Sequence, residues 1–124
     1  MKYLCTIYID EKKLSALSPS DSDDLDKRSL AYDETLRSGG HLIAAHALGS
    51  VETATTLRVR SGKLSVTDGP FAETNEQLGG FLLIEARDLN EAIQLASKIP
   101  SATLGSVEVR PTRLLTVLAR GDAQ

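Results

Sequence analysis

Phe81-Leu82-Leu83-Ile84 sets four large apolar residues in succession directly after Gly79-Gly80. A strand that alternates apolar and polar residues can leave one face in water, whereas a strand with no polar face has to be covered on both. Gly80 to Ala86 is therefore expected at the centre of a sheet, and the rest of the chain must supply its neighbours and its cover. Lys2 to Asp10 supplies a second interior strand. Tyr3, Cys5, Ile7 and Ile9 alternate there with Leu4, Thr6, Tyr8 and Asp10, and both sets are largely apolar until the end.

Helical cover comes from two segments. Leu25, Ser29, Tyr32 and Leu36 fall on one stripe at helical spacing, with Asp21, Asp23 and Asp24 suited to the positive end of the helix dipole. This helix is expected to start near Ser20 or Ser22, after a break at Ser18-Pro19-Ser20, and to stop at Gly39-Gly40. Asp88-Leu89-Asn90-Glu91 reads as a capping box, opening a second helix with Leu89, Ala92, Ile93 and Ala96 on one face and Pro100 after its end. Glu11 to Leu17 holds at most one turn. His41 to Leu48 reads as a short strand. Thr55 to Arg60 and Leu64 to Thr67 form a hairpin through Ser61-Gly62-Lys63. The last strand, Val107 to Pro111, carries a proline that marks an edge or a bulge, and Leu114 to Leu118 extends it or crosses to a second subunit.

Strand, helix, strand, hairpin insertion, strand, helix, strand is the order of an α+β ferredoxin-like sandwich, in one domain spanning residues 1–124. Its antiparallel sheet carries two helices on one face. If side chains such as Tyr3 and Phe81 project from the other face, that face needs a partner, and a homodimer is expected. Composition narrows the function. A net charge of −3, with acidic residues gathered at Asp10-Glu11 and from Asp21 to Asp26, leaves no basic stripe for nucleic acid. Cys5 is the single cysteine, which gives no disulfide framework and no thiolate metal site; it reads as a small buried hydrophobe. No secretory leader precedes the first strand and no apolar run reaches the roughly 20 residues of a membrane span, so a cytoplasmic domain with no membrane partner is expected. Nucleophile-elbow, phosphate-loop, zinc-protease and dinucleotide motifs are absent, and neither a metal nor a cofactor is expected.

Between the hairpin and the central strand lies Asp68-Gly69-Pro70-Phe71-Ala72-Glu73-Thr74-Asn75-Glu76. Gly69 can take positive φ and Pro70 fixes its own, so the segment is a turn carrying three carboxylates and a ring. It resembles the signature of the YCII-related family in its DGPF branch, Asp-Gly-Pro-Phe-Ala-Glu-Thr-Lys-Glu. The likeness extends to Leu57-Arg58-Val59, Leu83-Ile84-Glu85-Ala86, Ile99-Pro100 and Val107-Glu108-Val109-Arg110-Pro111. The resemblance implies two copies packed sheet to sheet as a dimeric α/β barrel. It also implies a His and Asp pair in a pocket, with the His just ahead of a Leu-Ala-Tyr-like run on the first helix. Here that run is Leu30-Ala31-Tyr32 and Ser29 stands where the His would be, so the inherited pair is not intact. Asn75 likewise replaces the usual Lys of the motif.

His46 is the candidate general base in place of the lost imidazole. Asp68 is its orienter or acid, or else an Asx-turn cap of its own loop. Ser29, Tyr32, Gly69, Pro70, Phe71, Glu73 and Arg110 are the candidate ligand-binding residues. Ser29 has the alternative of bonding a carbonyl of the preceding turn. Phe71 has that of plugging the loop into the core or a partner. Arg110 can meet an anionic ligand or pair with Glu108 or Glu85. Glu73 and Glu76, three apart, would share a helical turn but are too few for an oxygen-ligand metal site. Three functions follow: a dimeric domain binding a small organic ligand in a helix/sheet pocket near the loop; an enzyme doing proton transfer or elimination on a small organic acid through His46 and Asp68; and, as the resemblance implies, an interaction accessory with a partner in sigma-factor regulation.

Overall fold

The computed structural model describes residues 1–116. In chain order the elements are β1 (Lys2–Ile9), α1 (Glu11–Ser15), α2 (Pro19–Ser38), β2 (Leu42–Ala47), β3 (Thr55–Arg60), β4 (Lys63–Asp68), β5 (Gln77–Glu85), α3 (Leu89–Ala96) and β6 (Gly105–Pro111), with single 3₁₀ turns at Val51–Thr53 and Pro100–Leu104. β2, β5, β1 and β6 form one antiparallel sheet in that order, and β3 with β4 forms a separate two-stranded hairpin. This is the ferredoxin-like α+β arrangement, with β1 and β5 central and the proline-bearing β6 at an edge. Thr112 to Thr116 has no regular structure, and the rest of the expected continuation to Leu118 lies outside the described residues.

The core forms where the helices meet the sheet. Tyr3, Cys5, Ile7 and Ile9 from β1 and Leu82 and Ile84 from β5 are buried on one face, beneath Leu36 of α2 and Ala92 and Ala96 of α3. The alanines let α3 sit close to the sheet, and the Tyr32 hydroxyl donates to the Leu95 carbonyl at 2.5 Å, tying α2 to α3. Burial pushes the Cys5 thiol up to about 11, so it stays a protonated hydrophobe. Cover on both sides of β5 is not achieved within one chain. Gly80, Leu82 and Ile84 are buried, but Phe81 and Leu83 are only half-buried on the far face, beside Leu4, Thr6 and Tyr8 of β1. Tyr3, expected on that open face, points to the helices instead, because the buried phase of β1 begins with it.

Local chemistry sets the boundaries. The Ser18 hydroxyl accepts from the Asp21 amide and Pro19 takes the first helical position, so the break that separates α1 from α2 also opens α2, just ahead of the expected Ser20 or Ser22. Asp88 caps α3 by accepting from the Glu91 amide, while the Glu91 carboxylate accepts from the Arg87 amide. The hairpin turns on Ser61 and Gly62 alone, both at positive φ, and Lys63 already pairs with Arg60. No helix among the described residues is long and apolar enough to cross a membrane.

Candidate functional site

A cleft of about 540 Å³ opens between α2 and the sheet. It exists because the facing positions are small: Ser29 on α2 meets Ala45 and Ala47 of β2 and Gly80 of β5, and no side chain there fills the gap. Ile7, Ile9 and Leu82 make an apolar floor, Ile99 and Pro100 close one end, and Leu30 and Asp26 stand exposed at the rim. Tyr32 lines the cleft, but its hydroxyl is committed to Leu95 and is held up by burial first and by Cys5 second. The ionisable group on the wall is Asp33. It is half-buried one helical turn after Ser29, and loss of water raises its carboxyl above the usual range, with Arg37 partly opposing. Below that raised titration the protonated carboxyl, beside an apolar floor, can donate a hydrogen bond to a ligand oxygen or exchange a proton with it.

Asp33 was not among the candidates read from the sequence. The stripe through Leu25, Ser29, Tyr32 and Leu36 passes it by, although the i, i+4 step from Ser29 lands on it. The turn-back bond expected of Ser29 is made, among the described residues, by Thr35 to the Ala31 carbonyl. His46 is displaced by a bulge. Leu42 pairs with Ile84 and Ala44 with Leu83, so Ile43 is the extra residue and every later side chain of β2 changes face. His46 borders the cleft, yet it pairs with Phe81 and its ring lies 5.7 Å from that ring on the open face.

Asp68 lies elsewhere. It ends β4 opposite Thr55, exposed, and does not line the cleft that His46 borders; no hydrogen bond or ion pair joins the two among the described residues. The Asx-turn role also passes to other groups. Gly69, at φ 111°, donates its amide to the Ala54 carbonyl, and Thr56 donates its hydroxyl to the Gly69 carbonyl. Gly69, Pro70 and Glu73 line a shallow acidic groove with Asp10, Glu11 and Glu52, in which no three side chains are placed to hold a metal ion among the described residues. Glu73 and Glu76 share no helical turn. Phe71 plugs into no core: it is 78% exposed, with the Arg58 guanidinium 5.5 Å from its ring centre. Arg110, on the open face opposite Leu4, donates to Glu108. The pocket expected beside the signature loop is thus two clefts: α2 and the core face line one, and Pro70 and Phe71 line the other with Tyr8 and Leu78, on the open side of the sheet.

Known proteins carry the same architecture. The structure is similar to that of 5-chloro-2-hydroxyhydroquinone dehydrochlorinase from Burkholderia phenoliruptrix AC1100, solved in complex with 2,5-dihydroxybenzoquinone. The TM-score is 0.53 over 91% of this chain and 94% of that one, and at 17% identity the likeness is one of fold. In sequence, an uncharacterized protein of Rhizobium meliloti (strain 1021) is 38% identical over 116 residues, covering 92% of this chain and 94% of the relative. The YCII-related domain matches residues 1–116, and the chain belongs to that family.

Proposed function

We propose that the protein binds a small oxygen-bearing organic ligand in the α2 cleft, with Asp33 as the ionisable contact and Ser29 beside it. One observation carries this reading: an apolar cleft of small-molecule size has on its wall a half-buried carboxyl whose titration is raised by loss of water. A hydroxylated or carbonyl-bearing ring matches such a surface, and the ligand of the Burkholderia dehydrochlorinase is of that class. The likeness of Asp68 to Glu76 to the DGPF signature supports assigning the chain to that branch of its family.

Titration with 2,5-dihydroxybenzoquinone and related hydroxy-aromatic compounds tests the reading. Wild type should bind best while Asp33 is protonated, and affinity should fall as pH rises through its elevated titration, because the carboxylate then repels an anionic ring. Asp33→Asn should bind with that pH dependence removed. An unchanged pH profile in the variant, or no binding by any member of the panel, would overturn it. Stability follows the same sign. A carboxyl raised on folding contributes stability that is present below its unfolded titration and lost as pH rises through the folded one, so wild type should lose stability relative to Asp33→Asn across that interval.

The raised Asp33 also supports a second reading, a proton-transfer enzyme built on Asp33 and not on His46 with Asp68. Exchange of the quinone's ring hydrogens with solvent deuterium, above the spontaneous rate and abolished in Asp33→Asn, is its signature. Absence of exchange leaves binding alone.

We further propose that two copies pack open face to open face, covering Leu4, Phe81 and Leu83. Sedimentation should give a dimer at micromolar concentration, and Leu83→Arg, whose charge would lie in the interface, should give a folded monomer. A wild-type monomer would contradict the pairing.

A further inference from the structure

The signature-loop cleft, about 640 Å³ in volume, is separate from the α2 cleft. Tyr8 and Leu78 form its floor on the open side of the sheet, and Phe71 stands at its wall. Most of the polar side chains around it spend their donors locally, the Tyr8 and Thr55 hydroxyls being the two that make no hydrogen bond among the described residues. Thr53 donates to the Ser50 carbonyl, Thr56 to the Gly69 carbonyl and Thr74 to the Glu76 carbonyl. The Gln77 amide donates to the carbonyls of Ala72 and Thr74, and the Ser50 hydroxyl donates to Glu11. Acceptors are left over. The Gln77 side-chain oxygen is one, and the Glu76 carboxylate is another: one of its oxygens accepts from the Ser106 hydroxyl at 2.7 Å, leaving the second for a ligand.

Charge points the same way. Glu76 is half-buried, and no lysine, arginine or histidine lines the cleft, so its formal charge is negative. Two aromatic rings, Tyr8 and Phe71, border the same space, and one of them already attracts a cation, the guanidinium of Arg58. We propose that this cleft is a second binding site, specific for a small organic ammonium compound: the apolar body lies on Leu78 and the rings, and the ammonium donates to Glu76 and Gln77. An anionic ligand would be repelled here by Glu76. The inference does not depend on the reading of the α2 cleft.

The test uses the whole protein and three probes of one shape: phenethylamine, 3-phenylpropionate and 2-phenylethanol. In amide-resolved magnetic resonance titrations, phenethylamine should move the signals of Tyr8, Glu76, Gln77 and Leu78, and 3-phenylpropionate should not. Glu76→Gln keeps an oxygen for the Ser106 hydroxyl while removing the charge, and should weaken the amine about tenfold or more, as expected for loss of a charge-assisted hydrogen bond. Asp33→Asn should leave amine binding unchanged. Equal binding of 3-phenylpropionate, unchanged affinity in Glu76→Gln, or shifts confined to the α2 cleft would each overturn the proposal.

Discussion

Gly105→Ala should destabilise the protein by about 3 kcal/mol, at the upper end of the cost of overpacking. Its backbone is extended, at φ −179°, so conformation is not what requires glycine there. The reason is close approach: a Cβ on residue 105 would overlap the Tyr8 carbonyl oxygen, with the Tyr8 carbonyl carbon at 2.9 Å and the Ile9 Cα at 3.0 Å. Those atoms are main chain of a central strand and cannot swing aside as a side-chain tip would. The β1–β6 ladder has to open at Tyr8↔Ser106 and Ile9↔Gly105, its last two pairs. Urea unfolding measures the loss as a lower midpoint with little change in slope. Gly62→Ala is the informative control. Gly62 sits at φ 74° with open space around it, so only the left-handed conformation is penalised, by about 1 kcal/mol. A Gly105→Ala midpoint at or above that of Gly62→Ala would contradict the close-approach account.

Ile84→Ala should cost about 3 to 4 kcal/mol, in the range for deleting a fully enclosed branched side chain. Ile84 is 1% exposed, pairs with Tyr3 on one side and Leu42 on the other, and is among the largest side chains enclosed by the fold. Two strands and the helices hold the walls of the resulting cavity apart, so collapse is poor. Leu57→Ala removes a side chain of equal size that is 61% exposed on the hairpin, and should shift the same unfolding curve by no more than about 0.5 kcal/mol. Comparable losses in the two variants would mean that the hairpin is part of the core.

The element order and the buried phase of the strands could be read from the residues because they rest on periodicity. Tyr3, Cys5, Ile7 and Ile9 keep one phase through the whole of β1, and Asp88 with Glu91 marks the start of α3 where it occurs. Readings failed where a single residue breaks the phase. The extra residue at Ile43 turns His46 to the other side of the sheet, and alternation counted from Leu42 cannot reveal it because a bulge has no composition of its own. α2 starts at Pro19 rather than near Ser20 or Ser22, because a proline that is costly inside a helix costs nothing at its first position. The signature loop was legible as a turn, but the side of the sheet it joins depends on how the hairpin leaves Ala54, which the residues do not encode locally. Asp33 was hidden for another reason. Its character comes from the emptiness around Ala45, Ala47 and Gly80, three distant positions whose shared smallness is visible only once they are brought together.

The strand order carries a consequence for how the chain reaches this state. β1 is made before any other strand, yet its neighbours come much later: β5 follows α2 and the hairpin, and β6 follows α3 as well. A nascent chain therefore holds an apolar strand with two unsatisfied edges until residues past 77, and then past 105, have emerged. Such a topology rewards loop closure late, which slows folding and makes it nearly all-or-none, and it exposes β1 to intermolecular pairing in the interval. Productive synthesis then depends on how quickly the later half of the chain arrives, because nothing in the earlier half can shield the edges of β1.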